Sequence, residues 1–363
     1  MKTRSFTSTV FLSKEFERFA EKECKNNSPL YYQLSKQIAH DEELLRLCFF
    51  VKEGQPVPNA FLAAVHFFIL QNKQVLLAQY YPSVTGQKTE AIPFDLFKTF
   101  VNRHEEEIVN LIQQRIVQTN VITRCNYLLP VFSNILSQAD EPATVIDIGA
   151  SAGLTLNFDQ YEYYYNDEKV YGDSRVKLHC LIKGGKVPII KPFKNPIRKI
   201  GIDQNVIDLT NADDLTWLQA LIWPDQTERF LMLQEALNTP NLSEITLICG
   251  STIADFKKAI EAVDPSEILI LSATHVLYQF TDKFLLEFYN FLDAIGQNRD
   301  FYFLSAEATE AVQLKYGVNN TAVVLTTYKN KQKREMLIAE TNGHGNWISL
   351  SPFLIPSEKN KVN

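Results

Sequence analysis

The segment Val145-Ile-Asp-Ile-Gly-Ala-Ser-Ala-Gly-Leu154 constrains this chain more than any other stretch of it. The β-branched run Thr144-Val-Ile-Asp-Ile148 has the length and composition of a buried strand. It ends in Gly149-Ala-Ser-Ala-Gly153, where glycine permits a tight turn and small residues let a ligand approach the main chain. The pattern predicts a strand, a turn and the opening of a helix whose unpaired N–H groups face a carboxylate or phosphate. Asp147, at the strand's end, is placed to accept from an amino group or to order the turn.

Apolar runs of strand length recur at Ile197–Ile202, Ile245–Cys249, Glu267–Ser272, Phe301–Ser305 and Ala322–Tyr328. Helical stretches at Asp213–Leu237, Ile253–Val263 and Asp282–Gly296 separate most of them. This alternation predicts an α/β domain over 141–363, Rossmann-like, with an open, mostly parallel sheet and helices on both faces. Residues 1–140 form a helical amino-terminal domain in this reading, broken at Asn26-Asn-Ser-Pro29 and Gly54-Gln-Pro-Val-Pro58. A long helix, in one or two pieces, is predicted from Phe94 to the break at Pro130. An insert over about 161–195 interrupts the alternation. Its segments Tyr161–Tyr165, Val170–Leu181 and Val187–Ile190, joined by Asn166-Asp167 and Gly184-Gly185, predict an antiparallel β flap near the mouth of the turn.

Composition narrows the class of function. A net charge of −6 and a pI of about 5.6 leave no broad positive surface, so nucleic acid is not expected as a partner. The five cysteines are dispersed without a Cys-x-x-Cys pair, which reads as reduced thiols in a cytoplasmic protein. The run Ala60–Leu70 is too short to cross a bilayer, and no membrane partner is expected. No His, Cys and carboxylate spacing suits a metal, so none is expected.

Candidate site residues follow from strand ends. Lys199-Ile-Gly-Ile-Asp203 is an apolar strand ending in an acid, where a Rossmann-type site holds ribose hydroxyls; the plainer role for Asp203 is a loop cap. Two glycines in 149–153 fall short of the three of a dinucleotide fingerprint. Gly149-Ala-Ser-Ala-Gly153 also satisfies Gly-x-Ser-x-Gly, with Ser151 as hydrolase nucleophile and His275 or His344 as base. The helical leader lacks the earlier strands and oxyanion loop such an elbow requires. Ser272-Ala-Thr-His275 ends another strand, and His275 is a candidate to take a proton from a substrate, or else a packed residue. Gln118, Asn120 and Arg124 fall in the helix expected before the first strand; Asn120 and Arg124 would share a face directed at the site, or belong to a hydrogen-bond network. Tyr161, Tyr163, Tyr164 and Tyr165 read mainly as packing, His66 and His104 as structural, and Trp223-Pro-Asp-Gln226 as a helix break with Arg229 in reach of Asp225.

Asp147-x-Gly149-x-x-x-Gly153 resembles the first motif of class I methyltransferases. More widely, Ser28-Pro-Leu-Tyr31, Gly54-Gln-Pro-Val-Pro-Asn59, Ala63-Ala-Val-His66, Gln118-Thr-Asn120 with Arg124-Cys125, Ile148–Leu154, Gly201-Ile-Asp203 and Trp223-Pro-Asp-Gln226 resemble a bacterial family of unknown function with a class I methyltransferase-like fold. The resemblance implies a Rossmann-like fold and S-adenosylmethionine binding; the residues expected to hold that cofactor, from the turn and the strand ends, are Asp147, Gly149, Ala150, Ser151, Gly153, Asp203, Ser251 and Ser272. It supplies no substrate; the function expected here is methyl transfer to an unidentified small acceptor, with His275, Asn120, Arg124 and Gln118 on the acceptor side. One position departs from the motif pattern. Where methyltransferases commonly place an acid to read the adenine amino group, this chain has Cys249-Gly250-Ser251, and Asp255 lies a helical turn further on. That departure suits a non-catalytic binding or regulatory protein that keeps the fold.

Overall fold

The computed structural model describes residues 8–183 and 186–350. Two units emerge, one from residues up to 119 together with 207–234, the other from 120–206 together with 235 onward. The expected strand at Val187–Ile190 is absent, and Gly184-Gly185 lies outside the described residues.

Helices α1 (Thr9–Phe19), α2 (Pro29–Ile38), α3 (Glu42–Leu47), α4 (Val57–Gln71), α5 (Pro82–Thr85), α6 (Phe94–Arg103) and α7 (Glu105–Gln114) build the first unit. α4 is apolar on nearly every face and is correspondingly buried. Its His66 is enclosed, with Nδ1 at 3.0 Å from the Ala220 carbonyl and Nε2 at 2.7 Å from Ser83 Oγ. A carbonyl only accepts, so Nδ1 carries the proton and Ser83 donates to Nε2. α2 starts where Ser28 accepts from the Tyr31 amide, and Asp225 reinforces the start by accepting from the Ser28 hydroxyl and the Leu30 amide. Asp225 is thus a second cap, and Arg229 donates to Gln226. Pro224 falls in the break between α9 (Ala212–Ala220) and α10 (Thr227–Leu237), where Trp223-Pro-Asp-Gln226 was expected to interrupt the helix.

The helix expected to run on from Phe94 stops at Gln114. Outside partners take up the backbone beyond it: Gln55 accepts from the Val117 amide and Trp217 donates to the Ile116 carbonyl. Gln118 and Asn120 therefore lie in a segment without helix or strand and Arg124 in a single 3₁₀ turn over Ile122–Arg124, not on one helix face. α8 (Cys125–Leu136) follows, with Pro130 inside it.

The second unit carries β1 (Ala143–Ile148), β2 (Glu162–Tyr165), β3 (Glu168–Tyr171), β4 (Lys177–Ile182), β5 (Ile197–Asp203), β6 (Thr246–Cys249), β7 (Ile268–Thr274), β8 (Phe301–Glu307), β9 (Thr321–Lys329), β10 (Gln332–Thr341) and β11 (Trp347–Leu350). They form one mixed, mostly parallel sheet in the order β3-β2-β4-β11-β10-β9-β8-β7-β1-β5-β6. α11 (Ile253–Glu261) and α12 (Asp282–Gly296) pack on its parallel part through Phe256, Ile260, Phe288 and Leu292 against Ile200, Leu269, Leu271 and Phe303. α13 (Glu310–Tyr316) precedes the antiparallel β9. β5 and β6 lie on one side of β1, β7 and β8 on the other, so the direction of strand addition reverses at β1. Crevices in such sheets open at the carboxyl ends of the strands at that reversal.

The insert differs from a detached antiparallel flap. Asn166 and Asp167, at φ +49° and +64°, turn β2 into β3 as an antiparallel hairpin. β4, however, pairs parallel with both β2 and β11 and so joins the insert to the main sheet. Tyr161, Tyr163 and Tyr165 are buried and donate to the carbonyls of Leu154, Phe158 and Asn126, while Tyr164 stacks on His179.

Candidate functional site

The turn after β1 is built from three left-handed residues, Gly149 at φ +80°, Ser151 at +55° and Gly153 at +76°. A Cβ on Gly149 would lie 2.7 Å from Val276 Cγ2, so packing as well as conformation demands glycine there. Two expectations are corrected at this turn. Leu154–Gln160 is a 3₁₀ segment with a non-helical Asn157, not an α-helix, so no helix dipole points at the turn. Nor are most of its amides bare. Those of Gly149 and Ala150 donate to Ile202 O, that of Ser151 to Asp203 Oδ2 at 2.9 Å, and that of Gly153 to Ala150 O.

Asp147 proves to be an internal brace. The parallel register sets Ser272 directly opposite it, and the Ser272 hydroxyl donates to Oδ1 at 2.7 Å. Thr155 donates to Oδ2 at 2.8 Å. With 3 % exposure the carboxylate is desolvated, and its pKa rises to about 6 although both hydroxyls and Arg124 oppose the rise. Asp203, two residues beyond the β5 partner of Asp147, accepts from Ser151 and Asn205 amides. Each of its oxygens retains a lone pair. Ser151 Oγ is buried without a hydrogen-bond partner.

β7 ends abruptly at His275, which adopts φ +52° and donates its amide to Ala306 O. The next two amides, of Val276 and Leu277, both donate to Glu307 Oε1, at 2.9 and 2.8 Å. Glu307 closes β8, and burial raises its pKa. It went unmarked in the sequence, although an acid ending an apolar strand is the same signal that marked Asp203. The His275 ring meets Thr321 Oγ1 at 3.2 Å through Nε2. Burial, then the charges of Arg124 and His344, push its pKa down to about 3. In this state it is neutral and a weak base, contrary to the near-neutral titration expected of it.

Asn120 and Arg124 reach these strand ends from the 120–124 segment. Asn120 Nδ2 donates to Ala150 O at 2.9 Å, inside the glycine turn. Arg124 donates through Nε to Gly343 O and through Nη1 to Thr274 O, both at 3.1 Å. Thr123 donates to His344 O and Asn126 to Gly345 O, so the loop before β11 fixes this segment. Gln118 belongs to the first unit. Ser251, beyond β6, is exposed, and its amide donates to Asp255 Oδ2. Asp255 forms a capping box with Thr252 at the start of α11, which fixes its carboxylate there.

The structure thus gathers Asp147, the 149–153 turn, Asp203, Ser272, His275, Asn120 and Arg124 at the carboxyl ends of β1, β5 and β7. A family model described as an uncharacterized protein conserved in bacteria (DUF2332) matches residues 13–350. The chain belongs to this family. The DUF2332 match takes in both units and every residue of the cluster. Among the curated proteins, nothing matches this DUF2332 chain.

Further features bound the chemistry. Among the described residues, no three His, Cys, Asp or Glu side chains are grouped so as to hold a metal, and no helix is long and apolar enough to cross a membrane. All five cysteines are free thiols; Cys24, Cys48, Cys125 and Cys180 are buried and Cys249 is exposed. Ser151 has no histidine on its hydroxyl, and His275 is engaged with Thr321. A Ser–His nucleophile pair is therefore not assembled here.

Proposed function

We propose that the crevice above β1, β5 and β7 binds S-adenosylmethionine and that the protein is a methyltransferase of class I type acting on a small acceptor. The observation that carries this reading is the placement of Asp203 and the left-handed 149–153 turn together at the reversal of strand order. Four of the turn's amides, those of Gly149, Ala150, Ser151 and Gly153, are engaged, which leaves few donors for a pyrophosphate and disfavours a dinucleotide. An adenosyl sulfonium carries no phosphate and has no need of them.

The residues present fit such a ligand. Asp203, with a free lone pair on each oxygen, would accept from two ribose hydroxyls while the Ser151 amide keeps it oriented. Ser151 Oγ is a buried hydroxyl in need of a partner. Because Asp255 is fixed as a cap, adenine would be read by neutral groups near Ser251. Asp147 acts through Ser272 and Thr155 by bracing β1 against β7. The bound cofactor supplies an electrophilic methyl group, and the protein's part is to align an acceptor with it in a water-poor crevice. Asn120, Arg124 and His275 would hold that acceptor; Gln118 has no assigned part.

A non-catalytic binding protein is the second reading, favoured by the weak basicity of His275 and the engagement of Asp147 by two internal hydroxyls. Titration calorimetry with S-adenosylmethionine and S-adenosylhomocysteine, on wild type and Asp203→Ala, tests the first. Binding by wild type that falls at least about tenfold in the variant, a loss of roughly 1.4 kcal/mol, supports it. No binding by wild type refutes it, and binding without turnover across acceptors leaves the second.

A further inference from the structure

Arg124 is a half-buried cation without a counter-ion. Among the described residues no carboxylate lies within ion-pair distance of it, and its hydrogen bonds go to two main-chain carbonyls, Gly343 O and Thr274 O. Those bonds hold the guanidinium in one orientation and leave Nη2 without a protein acceptor. Nη2 is not one of the sequestered, partnerless atoms, so it opens to solvent. The same holds for Nδ1 of His275, whose other ring nitrogen faces Thr321. The two side chains share their surroundings. Arg124 binds the carbonyl of the residue preceding His275, and a Cβ on Gly343 would sit 3.6 Å from His275 Cε1.

Asp147 and Glu307 feel this charge but make no ion pair with it. Asp147 accepts from two hydroxyls and Glu307 Oε1 from the 276–277 amides, while Glu307 Oε2 is buried without a hydrogen-bond partner. Both carboxylates nevertheless disfavour a second negative charge at the spot, which weighs against phosphate and for a monoanion. A fixed guanidinium edge is complementary to a planar carboxylate.

We infer that the acceptor is a small carboxylic acid whose carboxylate docks on Arg124 Nη2 with His275 alongside. This rests on the methyltransferase reading. The docked anion offsets the Arg124 charge that helps keep His275 neutral, so acceptor binding itself makes the imidazole a better proton acceptor.

The test uses the full chain and three probes, benzoate, its neutral isostere benzamide, and inorganic phosphate, followed by ligand-observed NMR. Benzoate should bind wild type, bind at least about tenfold more weakly to Arg124→Gln, and retain part of its affinity in Arg124→Lys. Histidine ring ¹⁵N shifts should report a rise in the His275 pKa on adding benzoate, which a purely structural Arg124 would not produce. Equal binding of benzamide, tighter binding of phosphate, undiminished binding to Arg124→Gln, or an unmoved His275 would overturn the inference. Should Arg124→Gln fail to fold, the Arg124→Lys series and the His275 titration decide it alone. S-adenosylmethionine binding is measured on the same samples. Cofactor binding without benzoate binding refutes only the carboxylate seat, whereas benzoate binding without cofactor binding keeps the seat and refutes the methyltransferase.

Discussion

The Asp147→Asn substitution should stabilise the protein at neutral pH while leaving it nearly unchanged in acid. The folded carboxyl titrates at about 6 against an ordinary 3.8, chiefly through burial. A raised acid holds its proton in the folded state after the unfolded chain has released its own. Folded chains therefore bind more protons between pH 3.8 and about 6, and wild-type stability falls as pH rises through that window. Each pKa unit corresponds to about 1.4 kcal/mol, so the penalty at pH 7 is on the order of 3 kcal/mol. The side-chain amide introduced by Asp147→Asn would accept from one of the Ser272 and Thr155 hydroxyls and donate to the other, keeping the brace neutral. Urea unfolding of both proteins at pH 4 and pH 7 isolates the effect, because groups common to both cancel in the difference of differences. That double difference should favour the variant at pH 7 by about 2–3 kcal/mol. A value near zero, or of opposite sign, would show that the carboxylate is well solvated or paired and that its role as an internal brace is misassigned.

The mirror-image dependence belongs to His66, whose pKa burial pushes down to about 4. Its unfolded form gains a proton that the folded form refuses, so stability should fall as pH drops from about 6.5 toward 4, and His66→Asn should flatten that slope in thermal melts. In the second unit Lys199 is buried with Asp159 and Asn157. Asp159→Ala should destabilise by about 3–5 kcal/mol in urea by stranding the ammonium, and Lys199→Met in the same background should recover much of the loss. Gly149→Ala places a methyl group against Val276 at a left-handed φ, so its Tm should drop by several degrees, about 2 kcal/mol. Val276→Ala should rescue part of that drop by removing the colliding methyls, but not the backbone strain.

How far the sequence could be read depended on which contacts were local. β1 and its turn, and the strands leading to Asp203, Ser272 and Glu307, declared themselves because a buried parallel strand is a short apolar run and a left-handed turn needs glycine. β10 did not, because Gln332-Lys-Arg-Glu is polar and its burial begins only near Ile338; its one signal was the Asn330-Lys331 turn at φ +52° and +61°. The end of α7 was hidden as well, since the segment after it is held by Gln55 and Trp217 from distant parts of the chain. For the same reason Asn120 and Arg124, which the structure places near the strand ends, do not lie on the helix expected for them. Their positions depend on Ala150, Thr274 and Gly343, none of which helical spacing reveals. The depressed basicity of His275 arises from three-dimensional burial beside a cation, which residue type alone does not convey.

Direct mapping of the cofactor bears hardest on the proposal. Ultraviolet cross-linking of radiolabelled S-adenosylmethionine to the full chain, with peptide sequencing of the adduct, should place label within residues 145–156 or around Asp203, competed by S-adenosylhomocysteine and lost in Asp203→Ala. Label confined to peptides remote from the ends of β1, β5 and β7, or indifferent to competitor, would contradict a methyl-donor site at this turn.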